Sequence, residues 1–522
     1  MKPTVTLITF IALRLAPTAA LHAADMRPSL SVPIIGKGVR QIFADDVLIA
    51  SKSGVERKVH AAAKLERPVL EASAPWEIGA TVKGQADRRL YIYGTVLRDA
   101  ASGHFRMWYS AGGAAGNREM RNYFATSQDG IAWQRPTLGL VAFGESKANN
   151  LINLPFHSTS VILDAREPDP RKRYKAVGIM GGVSEAQIAR LEARFAKGWP
   201  LPTRAYWAAY SADGLQWTLY PDNPVLPGCD TITLAQDPQT GEYLAFHKRH
   251  GDKRTRPVMR QIYLSISKDM QNWTEPELVM NPDETDHAKA RELKGGTHAE
   301  FYNMSAFPYA GQWLGMVTLF RRTGPPPVKG LGQSGDDGPI DVQLVHSRDG
   351  RKWHRCSDRS PVIALGPHPY DAGSILGICN SPVIDGDEMW IYYTAMTTTH
   401  GGVLPDKQMA IARAAWRLDG MVSLHAADSE GVIETVPIQP EGDRLFVNAD
   451  VRTGRLLVEV LDAEGSTVPG FEESACLPLT GGAVRQAMRW RTESPLPQGK
   501  PLRLRFHLTN GELYSYSFET SP

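Results

Sequence analysis

The chain has 522 residues, 42% of them hydrophobic and 22% charged, with a formal net charge of +2. Such a length is too great for one ordinary core and points to two or so domains. Near-neutral charge excludes a basic field for nucleic acid, and no run of like charge marks a solvated tail.

The N-terminus carries Lys2, an apolar run from Val5 to Leu13 and small residues through Ala24. This pattern reads as a secretory signal peptide over 1–24, so the mature protein is expected to be secreted or periplasmic. Arg14 interrupts the run well short of a membrane span. The four cysteines, Cys229, Cys356, Cys379 and Cys476, are widely spaced and form neither a zinc pattern nor a disulfide framework, although one bridge is compatible with export. After a Pro-rich stretch to about residue 40, the run 41–50 reads as a short strand with Asp45 and Asp46 in its middle.

From there the chain repeats itself. Ser127-Gln-Asp-Gly-Ile-Ala-Trp133, Ser211-Ala-Asp-Gly-Leu-Gln-Trp217, Ser267-Lys-Asp-Met-Gln-Asn-Trp273 and Ser347-Arg-Asp-Gly-Arg-Lys-Trp353 share one phrase, S-x-D-[G/M]-x-x-W. Each copy follows a short apolar run, as a strand, a tight turn and a second strand would require. Their starts are 84, 56 and 80 residues apart, irregular for a solenoid and natural for blades that differ in loop length. Ahead of the phrases lie strand pairs at 91–109, 160–178, 231–246 and 301–317. A fifth pair at 381–393 is followed by 409–413 and 416–424 as outer strands. The expected fold is all-β: a five-bladed β-propeller over 25–425 and, where alternating strands take over, a β-sandwich over 426–522. The one expected helix is 183–197, charged and Ala-rich.

If the first strand of each pair is innermost, its start and the end of the second strand meet at one mouth, and the repeated turn lies at the opposite face. The Asp of each phrase then caps its own turn. The mouth positions hold chemistry that occurs once each: Trp76 and Glu77, His157, Asp230, Lys248 and Arg249, His298 and Glu300 with Tyr302, Arg321, Asp371, and His400. Carboxylates, histidines, cations and aromatics converging on one pocket suit sugar chemistry. Glycoside hydrolysis needs a carboxylic acid with a raised pKa to protonate the leaving oxygen, and a carboxylate as nucleophile or base opposite it. Glu300, opening an apolar strand, is the acid candidate, because burial raises a carboxyl pKa. Asp230 on the adjacent blade is its first partner, with Asp46 and Asp371 as rivals and Glu77 more remote.

For any of these the plain alternative is a carboxylate bonded to backbone N–H groups or to an arginine. His157, His298 and His400 show no metal-ligand spacing and suit sugar hydroxyls or packing. Lys248, Arg249 and Arg321 suit an anionic group. Trp76 and Tyr302 suit a sugar ring, or a core.

The repeated hairpins, with Phe43-Ala-Asp-Asp-Val-Leu-Ile49, Phe105-Arg-Met-Trp-Tyr109, Arg417-Leu-Asp-Gly-Met-Val-Ser-Leu424 and the trailing strands, resemble secreted five-bladed propeller proteins related to glycoside hydrolase families 32, 43 and 117. The phrase at 43–49 resembles in particular a group of planctomycete-type hydrolases. The resemblance implies an acidic trio on inner strands; the N-D-P-N-G of family 32 is missing, and Asp45-Asp46 precede the first full hairpin. It also implies a carbohydrate substrate. Some related propellers hold a central Ca²⁺, for which no ligand loop stands out here; no cofactor is required and no metal ligands are assigned. The expectation is an exported glycoside hydrolase. A carbohydrate-binding propeller without catalysis and a glycoside phosphorylase, with Lys248 and Arg249 on phosphate, are the alternatives. Nothing in the sequence sets the oligomeric state.

Overall fold

Apolar runs broken by Ser-x-Asp turns fold into successive antiparallel meanders in a nearly all-β chain. The computed structural model describes residues 32–521 apart from 80, 112–120, 196–203, 229, 251–258 and 357, so the expected signal peptide and Cys229 lie outside the described residues. The first sheet comprises Leu90–Arg98, Phe105–Ala111, Arg121–Ser127 and Trp133–Gln134. The second has His157–Leu163, Tyr174–Gly181, Arg204–Ser211 and Thr218–Leu219. The third has Ile232–Gln236, Tyr243–His250, Arg260–Ser267 and Glu277–Met280. In the fourth, His298–Tyr309, Gln312–Arg322 and Ile340–Ser347 pair in order. In the fifth, Ser374–Ile378, Glu388–Met396 and Met409–Arg417 do the same. The first strand of each sheet touches the first strand of the next, and the fifth touches the first, closing a ring.

These inner strands form no continuous backbone ladder with one another around the ring. Buried polar side chains bridge them instead. Thr95 donates to the Val161 carbonyl, Ser160 accepts from the Leu234 amide, Thr233 donates to the Met304 carbonyl and Ser305 donates to the Ile378 carbonyl. Asn380 closes the circle: its backbone N–H donates to Gly94 O, and its side chain donates to Val161 O and Leu234 O. Buried backbone groups demand partners, and here side chains from every sheet supply them.

The repeated phrase makes the turns at the other end. In each copy the Asp carboxylate accepts from the two amides that follow, as Asp349 does from Arg351 and Lys352 at 2.8 and 2.7 Å, and Ser347 Oγ donates to it at 3.0 Å. The residue after the Asp sits at positive φ: Gly130, Gly214, Gly350 and, unusually, Met270 at +66°. Glycine is needed at 130 and 214 for space as well, since a Cβ would lie 2.6 Å from Tyr392 Oη or 2.7 Å from the Trp108 ring. Trp217, Trp273 and Trp353 donate from Nε1 to the carbonyl of that residue.

Several elements depart from expectation. Val422–Ala426 leaves the fifth sheet, whose fourth strand is instead Ala63–Lys64 from the N-terminal side. Helix α1 runs Glu185–Arg194 with a Ser184 capping box, and a second helix, α2 (Glu284–Arg291), was not foreseen because its eight residues bury only Asp286 and Ala290. Beyond residue 426 one long strand, Arg444–Asp462, pairs with Gly511–Glu519 through its first half and Leu502–Thr509 through its second. Gln41–Ile42, Ile49–Ser53 and Glu56–Val59 also pair with strands after residue 421. By hydrogen bonding, residues 41–59 therefore belong with the C-terminal sheets and not with the ring expected over 25–425. Cys356, Cys379 and Cys476 are buried and unbridged.

Candidate active site

The mouth of the ring is shaped by irregularity in the inner strands. Pairing slips between Tyr91 and Thr95, between His157 and Ser160, between Phe301 and Asn303, and between Ile375 and Ile378. A bulge turns the extra residue out of the ladder, and here the extra residues include Tyr93, Tyr302 and Leu376. With Phe320, Ile340, Met396 and Met409 they form an apolar plug that floors the mouth. Gly94 and Gly377 let the strands approach: a Cβ on either would lie 2.1 Å from Thr159 O or 2.6 Å from Ile92 O.

Above this floor stands Asp230, its side chain 26% exposed. Lys248 Nζ pairs with one carboxylate oxygen, and Tyr302 Oη lies 3.5 Å from the same atom. His157 Nε2 lies 3.3 Å from the other oxygen. The Lys248 ammonium sits 3.6 Å from the centre of the Tyr302 ring, a cation–π contact that orders both. Burial pushes the Asp230 pKa up, but the Lys248 charge and the His157 hydrogen bond outweigh it and hold the group well below the carboxylate range. Asp230 is an ionised carboxylate in an aromatic, cation-flanked setting.

Glu300, two residues before Tyr302, is fully buried. The expectation that burial would make it an acid is reversed. Burial does raise its pKa, but His298 at 3.4 Å, Arg260 in direct contact and Arg322 at 3.7 Å bring it down to about 2. Arg260 also bonds Asp336 at 2.6 Å and Arg322 pairs with Asp336, so the two acids and two arginines close a four-membered ion network. His400 Nδ1 meets the Asp336 carbonyl at 2.8 Å, and its ring packs on Tyr302 and Phe320. Its burial holds the imidazole neutral, with a pKa of about 3.

The remaining expected residues are not brought to the axis. Asp46 is half exposed and paired with Lys52 and Arg57 among the strands that join the C-terminal sheets. Its neighbour Asp45 binds Arg348 of a repeated turn, which puts this acidic pair at the end opposite the mouth. Asp371 is fully buried against Lys64 and the Tyr393 hydroxyl, where it anchors the N-terminal strand to the fifth sheet. Glu77 accepts from the Ser73 and Ala74 amides, Tyr109 and Arg135, and Trp76 donates to Asn150. Arg249 donates to Pro227 O at 3.0 Å, and Arg321 pairs with buried Asp341 at 2.6 Å.

Sequence reasoning missed Tyr93, Arg260, Arg322 and Asp336. Arg260 had a findable signal: Arg121, Arg204 and Arg260 each open the third strand of their sheet. Among the described residues, the one group placed to share a cation is Glu430, Glu473 and His507, with ligand atoms within 4.8 Å of one another, in the C-terminal sheets. Beside His157 the mouth widens between the first and second sheets into a cavity of about 1130 Å³. No helix among the described residues is long and apolar enough to cross a membrane.

The inner strands form a ring with charged groups gathered at one mouth. No family model matches the chain, and no curated protein sequence does. Similar solved structures include an N-acetylgalactosamine deacetylase from F. plautii in complex with blood group B trisaccharide, 13% identical over 71% of this chain and 97% of that one, with a TM-score of 0.41. A GH32 β-fructofuranosidase from Bombyx mori is 11% identical over 88% and 95%, with a TM-score of 0.40. A structure from the GH130 family of mannoside phosphorylases is 13% identical over 70% and 94%, at 0.39. Similarity this distant assigns neither family nor activity.

Proposed function

We propose that the chain is an exported, five-bladed propeller enzyme with a C-terminal β-sandwich, and that it cleaves glycosidic bonds in a polysaccharide or its oligosaccharides at the axial mouth. The observation that carries this reading is Asp230: an ionised carboxylate above an aromatic floor, flanked by Lys248, His157 and Tyr302. Its charge suits a nucleophile or a water-activating base at an anomeric carbon, and Tyr302 offers a ring face and a hydroxyl beside it. The leaving oxygen needs a proton, and Glu300 is the second carboxylate near the mouth. In the free protein it is ionised above about pH 2. As acid it must exchange its Arg260 bond for contact with substrate, because losing that cation while staying buried raises a carboxyl pKa.

The closed network around Glu300 favours a second reading, carbohydrate binding without hydrolysis. A release assay on neutral and acidic oligosaccharides, run alongside binding, separates the two. Catalysis predicts new reducing ends; binding with no release for any sugar selects the second reading. The acid role has its own signature. Glu300→Gln should slow oligosaccharide cleavage far more than cleavage of nitrophenyl glycosides, whose leaving group needs no proton; equal slowing would exclude Glu300 as acid.

A further inference from the structure

The mouth cavity is one-sided in charge. Of its lining, Arg89, Arg121, Arg204 and His157 carry or can carry positive charge, Asn153 and Gln333 add neutral polar groups, and no aspartate or glutamate is among the described lining residues. Arg89 is neutralised by a two-pronged bond to Asp87 at 2.7 and 2.6 Å. Arg121 and Arg204 make no ion pair with a described residue. They occupy the same place in neighbouring sheets, the first residue of the third strand, as Arg260 does in the third sheet. Arg260 shows what that place can do, because it grips two carboxylates, Glu300 and Asp336. The two arginines lining the cavity hold the same strand position, and no aspartate or glutamate among the described residues pairs with them there.

The geometry points to an anionic carbohydrate, a uronate- or sulfate-bearing oligosaccharide, as the ligand, with Arg121 and Arg204 holding its charged groups while the sugar beside His157 reaches Asp230. This names the substrate class and rests on the axial reading above. Guanidinium forks match both carboxylate and sulfate oxygens and keep their charge at every working pH. A volume of about 1130 Å³ exceeds the usual range for one small molecule and accommodates several sugar rings. Low-dielectric walls focus the field of two cations that pair with no described acid into the cleft.

Calorimetry on the full mature chain carrying Asp230→Asn, which keeps the probes intact, tests this separately from catalysis. The probes are tetragalacturonate, its methyl ester and a sulfated galactan tetrasaccharide. At least one anionic probe should bind tenfold or more tightly than the methyl ester, with affinity falling as salt rises. Preference for the uronate or the sulfated sugar identifies the source of the charge. Adding Arg121→Ala and Arg204→Ala should erase the preference while leaving the neutral probe unchanged. Equal binding of ester and acid, a preference that survives loss of both arginines, or no binding of either anionic probe overturns the inference. Failure to cleave any sugar would sink the hydrolase reading and leave this result standing.

Discussion

Glu300 shows how neighbours outweigh burial at the scale of one residue. Its ordinary pKa is 4.5 and its folded value about 2, so folding favours the ionised form. The stability it adds is complete above about pH 4.5 and is lost as pH falls toward 2. Glu300→Gln should therefore cost on the order of 3 kcal/mol at pH 6 by leaving the half-buried Arg260 and Arg322 to share Asp336 alone. The gap between the two urea midpoints should narrow steadily below pH 4.5; a gap that does not change with pH contradicts the network. Asp349 makes the opposite case, a repeated acid with a local task. Asp349→Ala should cost about 1 kcal/mol, as loss of a comparable helix cap does, with sugar binding unchanged. The sequence marked these turn acids as structural through their repetition, and it marked Asp230 as chemical because it stands alone at a strand start. It could not show that Arg260, forty residues before Glu300, would reverse that residue's charge preference, since the pairing exists only once two sheets lie side by side.

At the scale of the element, the inner strands were legible as apolar runs, but their bulges were not, because strands buried on both faces show no alternation for a shift of phase to break. The bulges matter most to the site: they turn Tyr93 and Tyr302 toward the axis. Asn380 was equally silent in the sequence, since a single Asn after an apolar strand reads as a turn residue. Its side chain serves two sheets at once. Asn380→Leu should cost about 1–3 kcal/mol, because Leu234 O loses this donor while Val161 O keeps Thr95, read from the midpoint of chemical unfolding. A neutral result would mean that packing, and not this bridge, holds the inner strands together. Met270 poses a related balance. Its left-handed backbone costs about 1–2 kcal/mol, while its fully buried side chain returns about 2–5 when measured against truncation. Met270→Gly is expected to destabilise despite relieving the turn.

Across the whole molecule, the N-terminal segment ties the parts together. Residues 41–59 supply strands to the C-terminal sheets, and Ala63–Lys64 completes the fifth sheet of the ring. Asp419 reinforces the junction by accepting from Arg40, Tyr309 and Ser515. None of this long-range pairing was readable, because strands whose partners lie 352 to 475 residues away, Ala63 from Ala415 and Gln41 from Tyr516, carry no local sign of each other. Lys64→Met tests the closure: it leaves Asp371 buried without its cation and should cost about 3–5 kcal/mol, with much of the loss recovered by adding Asp371→Leu. The same closure keeps five inner strands converging on one mouth, and Asp230 is the charge they converge on. Paired turnover and binding assays of Asp230→Asn on oligosaccharides that the unaltered protein cleaves test this most directly. Product release should fall by at least a thousandfold while sugar affinity stays within tenfold; turnover close to that of the unaltered protein would contradict the account.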